Sequence, residues 1–388
     1  MADFDELLEE LKKHLFDTNR QNWLLGAGIS YLSNIPLMHP LTDRVVEMVN
    51  TAGDAKNIEI IEAIKSDLDD VAHVEHYLSH LGDLIALAER SKAHTSTVNG
   101  KNYSKDELEQ LHLALVSAIG AVVRYGFRTG ETPGTAETPI VEIEYHLEFV
   151  RALFRGRANL LSRTRLSFFT KNYDTLLEDA LGLEKYDVVD GFSGGAVGFW
   201  NPNKELAFGG GDPNQCYLYK LHGSIDWHKS SGIGLVRARY GTKYLSDPAN
   251  IMIYPQATKY VETQKDPFAT LFSGFRSALN YSDQNVLVVC GYSFGDEHIN
   301  SEIEAALNQK GNKTTLLAFA QEAPGDGITI NHTLDKWLQS ESFGSRVYVA
   351  GEKGIYNRSV MAKASPGIDN LNWWTFSGLT EFLRTGEV

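Results

Sequence analysis

The sequence predicts an α/β protein, a doubly wound parallel sheet carrying a helical insertion. Three observations lead there. Short apolar runs (Trp23-Leu24-Leu25, Leu166 to Thr170, Tyr217 to Leu221, Asn285 to Cys290, Thr314 to Phe319 and Arg346 to Ala350) alternate with stretches of helical spacing, the order that builds parallel sheets. Val286-Leu287-Val288-Val289 is apolar at every position, as in a strand buried on both faces. Residues 55 to 155, by contrast, carry helical periodicity.

Phe4, Leu7, Leu8, Leu11 and Leu15 recur three or four apart within residues 3 to 16, one apolar stripe on a helix. Asp3 and Asp5 suit its N-terminal end and Lys12 and Lys13 its C-terminal end. After the first strand comes Gly26-Ala27-Gly28-Ile29-Ser30, then a helix from Pro40 to Asn50. Further stripes are Ile58, Ile61, Ile64 and Leu68, then Val71, Val74, Leu78 and Leu81, then Leu108, Leu111, Leu115 and Ile119. Turn formers break them at Lys92–Asn102 and Gly130–Pro139. Thr175 to Leu183 and Phe268 to Leu279 read as helices, and Ile251 to Tyr254 as a strand. Gly191 to Gly198 and Gly209 to Gly211 read as loop, with a turn at Asn201-Pro202-Asn203. The expected division is 1–54 with 156–388 as the sheet domain and 55–155 as the insertion.

Composition narrows the class. The 388 residues are 43% hydrophobic and 22% charged, ordinary globular values with room for a well-buried core. A formal net charge of −14 argues against direct nucleic-acid binding. Cys216 and Cys290 are the sole cysteines, too few for a disulfide framework or a four-cysteine zinc site. The acidic N-terminus lacks a basic leader, and no run approaches the about 18 apolar residues of a membrane span. The expectation is a cytoplasmic protein that makes no use of a membrane.

Four polar motifs directly follow expected strands: Ser30, Asn172 with Asp174, His222 with Ser224, and Ser293 with Asp296. Open parallel sheets bind ligands beyond the carboxyl ends of their strands, where such motifs converge. The Gly26–Ser30 turn suits a phosphate, because glycines let backbone N–H groups approach and a helix N-terminus favours an anion. An ordinary dinucleotide fingerprint would want a third glycine where Tyr31 stands. Other groupings read as structural. His73, His76 and His80 sit at helical spacing as a solvated or interhelical face, and Trp373-Trp374 reads first as core packing.

Taken together, Gly26-Ala27-Gly28-Ile29-Ser30, Thr170-Lys171-Asn172-Tyr173-Asp174 and His222-Gly223 resemble, in order, the three main motifs of the Sir2 (sirtuin) family, and Gly291-Tyr292-Ser293 its later Gly-x-Ser contact. The resemblance spans roughly residues 20–50 and 160–300. It implies a Rossmann-like fold that binds NAD and breaks the nicotinamide–ribose bond. It also implies catalytic roles for Asn172, Asp174 and His222: Asp174 on the carboxamide, Asn172 on a ribose hydroxyl or the attacking water, His222 as proton acceptor. Gly26, Ala27, Gly28, Ser30, Thr170, Gly291 and Ser293 would contact the dinucleotide. The chain departs from protein deacylases. It has no paired Cys-x-x-Cys, so no zinc is expected, and it reads Pro36-Leu37-Met38-His39 where those enzymes show Pro-Asp-Phe-Arg. With its long helical segment it is similar to the Sir2-domain NADases of bacterial antiphage defence, including those that work beside a HerA-type ATPase. That likeness implies an NAD hydrolase that forms homo-oligomers, with NAD as substrate and a separate ATPase as partner. The alternatives are a zinc-free NAD-dependent deacylase and a non-catalytic NAD or ADP-ribose sensor.

Overall fold

The computed structural model describes residues 4–18, 20–156, 166–202, 214–244, 250–253, 266–281, 283–323, 330–358, 360–363 and 371–388. Gly209–Gly211, Asn203 and Tyr254 lie outside the described residues. The N-terminal half runs α1 (Phe4–Lys12), a π-type turn (Lys13–Asp17), β1 (Gln21–Leu25), a 3₁₀ turn (Ala27–Ser30), α2 (Met38–Thr51), α3 (Ala55–Asp67), α4 (Val74–Arg90), β2 (Thr95–Val98), β3 (Lys101–Ser104), α5 (Lys105–Tyr125) and α6 (Glu144–Gly156). Then come β4 (Leu166–Thr170), α7 (Leu176–Leu183), β5 (Asp187–Val189), β6 (Phe192–Gly194), β7 (Val197–Trp200), β8 (Gln215–Lys220), β9 (Gly223–Ser230), β10 (Gly234–Ala238) and β11 (Asn250–Ile253). The chain continues through α8 (Phe268–Leu279), β12 (Asn285–Cys290), α9 (Glu297–Asn308), β13 (Thr314–Phe319) and α10 (His332–Leu338). It ends with β14 (Val347–Ala350), β15 (Gly354–Asn357), β16 (Val360–Lys363) and α11 (Phe376–Thr385).

The main sheet has nine strands in the order β16-β15-β14-β13-β12-β1-β4-β8-β5. Pairing is parallel from β14 through to β5, and β15 and β16 extend one edge antiparallel. The parallel doubly wound architecture is therefore the one the sequence predicts. Side chains that alternate along each strand feed two cores. Trp23, Leu25, Phe168, Leu218, Val286 and Val288 pack under α1, α6, α7 and α11. Leu24, Phe169, Tyr219, Leu287 and Val289 pack under α8, α9 and α10. Burial on both faces is why these strands are continuously apolar rather than alternating. Trp373 is buried, and its indole N–H donates to Gly351 O at 2.8 Å. It serves the core.

A third core lies beyond the sheet. It joins residues of α2, α3, α4 and α5 with Tyr173, Leu176, Ile225 and Ile253, so the loop after β4 packs into the helical unit.

Two loop expectations are corrected. Within Lys92–Asn102, β2 and β3 form a hairpin closed by Asn99 and Gly100, both at positive φ, the two-residue turn that matches strand twist. Within Gly191–Gly198, β6 and β7 belong to a second sheet, ordered β11-β9-β10-β7-β6. The glycines of that stretch hide any alternating pattern. Its pairing partner β10 lies far along the chain, and the rings of Phe192, Trp200 and Trp227 pack together beneath it.

Candidate active site

The strands that carry the motifs end level with one another. Leu25 pairs with Cys290 on one side and Thr170 on the other, and Thr170 pairs with Lys220. The residues that come next, Gly26, Lys171, Leu221 and Gly291, therefore leave the sheet along one line. From β1 the chain crosses to β4 on one side and later returns to β12 on the other, so β1 and β12 flank the switch point where open sheets bind ligands.

At that point two turns touch through glycine. Gly26 N–H donates to Cys290 O at 3.0 Å and Gly28 N–H to Gly291 O at 2.9 Å. A Cβ on Gly26 would stand 2.4 Å from Gly291 O, and one on Gly291 would stand 2.6 Å from Ile29 N. These glycines are thus required first by contact between the turns, and two amides expected to face a phosphate are engaged inside the protein. Ala27 lies in the 3₁₀ turn between them.

The polar groups beyond the strand ends form a connected chain. The side-chain amide of Asn172 donates to Gly26 O at 3.2 Å and to Ser30 Oγ at 3.1 Å, and Ser30 Oγ in turn donates to Asp174 Oδ2 at 2.9 Å. All three side chains are buried. A carbonyl can only accept, so Gly26 O fixes the orientation of the amide, and each bond in such a series polarises the next. Asn172 Oδ1 is buried and, among the described residues, has no hydrogen-bond partner. An unmatched acceptor in that setting costs about 1–3 kcal/mol, and a hydroxyl or water delivered to the site would satisfy it. Thr170 has a bracing part: its hydroxyl donates to Leu25 O at 2.9 Å and accepts from Asn172 N–H at 3.0 Å. Asp174 Oδ1 accepts from Leu176 N–H at 3.1 Å at the start of α7. Its two oxygens thus serve a helix end and the polar chain at once.

His222 emerges where β8 turns into β9. Gly223 makes that turn possible: its φ is +87°, and a Cβ there would meet Met252 O at 2.2 Å. His222 Nε2 lies 3.1 Å from Asp296 Oδ2, with both side chains buried. A carboxylate only accepts, so the bond places a proton on Nε2. Asp296 Oδ1 meanwhile caps α9 through the N–H groups of His298 (3.2 Å) and Ile299 (3.4 Å). Tyr292 braces this loop by donating to Asp296 O at 3.1 Å. Ser293 is exposed, and its carbonyl accepts from Asn331 Nδ2 at 3.1 Å; among the described residues no bond joins its side chain to this polar chain.

Four groups here go beyond what the sequence assigns: Lys220, Glu178 and Glu75, with Asp296 recognisable there only as a polar residue after a strand. Lys220 is fully buried, donates to Asp174 O, and pairs with Glu178 at 2.8 Å. A lysine inside the apolar run Tyr217 to Leu221 is its one visible signal in the sequence. Burial by itself would lower the Lys220 pKa, but Glu178, Asp226 and Asp174 outweigh it and the pKa rises. Burial pushes Glu178 up to about 7 against the pull of Lys220. The unfolded chain releases that proton near about 4.3, so across the window up to about 7 the folded chain holds the extra proton and stability falls as pH rises. Wild type is therefore expected to lose stability relative to Glu178→Gln as pH rises from about 4 to about 8, measured by urea unfolding. A constant difference across that range would exclude the assignment.

Asp174 also lines a cavity of about 480 Å³, shared with Arg124, Asp179, Asp226 and Arg239. Among the described residues no group of three or more His, Cys, Asp and Glu is placed to hold a metal ion. The rings of His73 and His76 lie 3.9 Å apart, tilted by 39°, at the start of α4, and burial lowers the His73 pKa to about 4. Among the described residues no helix is long and apolar enough to cross a membrane.

Residues 166–344 match the SIR2-like domain family. The matched span holds Asn172, Asp174, His222 and Asp296, while Ser30 and Glu75 lie outside it. No curated protein matches the chain significantly. Among solved structures, a Sir2 homologue in complex with NAD is 11% identical, with a TM-score of 0.38 over 81% of this chain and 83% of that one. At those values the likeness carries no argument about function.

Proposed function

We propose that the chain is an NAD hydrolase, cleaving the nicotinamide–ribose bond to give nicotinamide and ADP-ribose. The observation that carries this reading is the buried Asn172–Ser30–Asp174 chain, with its unmatched Asn172 oxygen, on strand ends adjoining the His222–Asp296 pair. The SIR2-like match over residues 166–344 supports it. Breaking a glycosidic bond builds oxocarbenium character at the sugar carbon, so the site must orient hydroxyls, hold the leaving group and handle one proton. Asn172 Oδ1 accepts from a ribose hydroxyl or from the attacking water. Asp174 engages the carboxamide, and His222 takes the proton as water adds. Burial excludes bulk solvent and strengthens each of these contacts. Gly26, Ala27, Gly28, Ser30, Thr170, Gly291 and Ser293 form the dinucleotide side, with Thr170 and Ser30 acting through their bracing bonds.

The reading extends to NAD depletion in antiphage defence by a cytoplasmic homo-oligomer working beside a HerA-type ATPase, with residues 55–155 as the contact unit. The test is product analysis of NAD incubated with the chain, alone and with such an ATPase, with and without acylated peptide. Nicotinamide and ADP-ribose formed without peptide support hydrolysis. Turnover that requires peptide points to a deacylase, and tight NAD binding without turnover in any assembly points to a sensor.

A further inference from the structure

Tyr173 stands between Asn172 and Asp174 in the chain, and two separate elements hold it. Its carbonyl accepts from Ile225 N–H at 3.0 Å and Ser224 Oγ at 3.2 Å, both on β9. Its ring enters the core of the helical unit, where the hydroxyl donates to Glu75 Oε1 at 2.7 Å. Glu75 belongs to the first turn of α4 and is 2% exposed. A carboxylate at a helix N-terminus is favourably placed, but burying one costs several kcal/mol unless it is well bonded. The residue before it ties α4 to α2, since Val74 N–H donates to Thr42 Oγ1 at 2.9 Å. Burial first, then Glu75 and Asp296, hold the Tyr173 hydroxyl protonated as a donor. One residue in either direction from Tyr173 reaches the Asn172 amide and the Asp174 carboxylate. A shift of the tyrosine ring moves both.

We infer that Glu75, far from the matched strand motifs in sequence, is a positioning residue for the reaction: through Tyr173 it sets where Asn172 and Asp174 stand. The inference rests on the hydrolase reading for its kinetic consequence and on the geometry alone for its structural one. A displacement of about 1 Å in a reacting group costs on the order of a hundredfold in rate.

The experiment compares wild type, Glu75→Ala, Glu75→Gln and Tyr173→Phe in full-length protein, by nicotinamide release and by amide hydrogen exchange over residues 170–176, with thermal unfolding alongside. Glu75→Ala and Tyr173→Phe are expected to lower kcat about a hundredfold with KM within threefold. They should also speed exchange in the segment at least tenfold at a temperature where the fold persists. Glu75→Gln keeps an acceptor for the hydroxyl and is expected to restore both readouts to within threefold of wild type. Unchanged exchange and kcat in Glu75→Ala, or failure of Glu75→Gln to rescue, overturns the inference. If wild type itself releases no nicotinamide in any assembly, the hydrolase reading fails, and the exchange pattern alone decides the role of Glu75.

Discussion

Replacing Asn172 by Ala is expected to reduce nicotinamide release by about a thousandfold or more while the protein stays folded. The substitution removes the unmatched Oδ1 and the two donor bonds to Gly26 O and Ser30 Oγ. Gly26 O keeps the N–H of Ile29 at 3.2 Å, so each lost bond costs about 0.5–1.5 kcal/mol, within the 5–15 kcal/mol by which domains are typically stable. Asn172→Asp sharpens the result. It keeps the shape but sets a second carboxylate against Ser30, which already serves Asp174, and it faces Gly26 O with an acceptor. Both variants should be inactive, with the Asn172→Ala unfolding midpoint within a few degrees of wild type and that of Asn172→Asp lower, because its buried carboxylate faces acceptors. If either retains a tenth of wild-type activity, Asn172 is not at the reacting centre.

The second large effect falls on Asp296. Asp296→Asn preserves a side-chain oxygen for the N–H groups of His298 and Ile299, and Asn caps helices as well as Asp does. It replaces the acceptor facing His222 Nε2 with an amide donor, which forces the other imidazole tautomer. A fall in kcat on the order of a hundredfold or more, with unchanged thermal stability, is the expected outcome of steady-state kinetics beside calorimetry. Asp296→Ala loses the cap as well and should be destabilised by about 1 kcal/mol. If Asp296→Asn keeps full activity, the His222–Asp296 pair is a structural contact alone. If both variants lose activity only in proportion to stability, the same conclusion holds.

The sheet is legible in the sequence because its central strands are buried on both faces: an apolar run such as Val286 to Val289 has few other destinations. The same local logic picks out Asn172, Asp174 and His222 as candidates, each just after such a run. It misses the Asn99–Gly100 hairpin, whose dipeptide is a strong hairpin signal but reads equally as a break between helices. The second sheet is hidden for a different reason. β7 and β10 are short, glycine-flanked strands held by pairing across the chain and by aromatic packing, neither of which a local window contains. Asp296 is visible as a polar residue after a strand, but its distance to His222 exists only in three dimensions. Glu75 has no signal at all. In sequence it is one acid among many on a helix, and only the fold buries it against Tyr173.

The polar chain draws on parts of the polypeptide made far apart in time. Ser30 meets Asp174 across 144 positions and Tyr173 meets Glu75 across 98, and His222 waits for Asp296 on the last of the contributing loops. Contacts of such separation form late, because long loops must close before they are rewarded. A polypeptide still emerging from the ribosome carries the first glycine turn, then the helical unit, then the loop after β4, with no assembled centre at any of those stages. The proposed hydrolase centre is complete only in the finished fold, so under that reading translation itself keeps the unfinished chain inert.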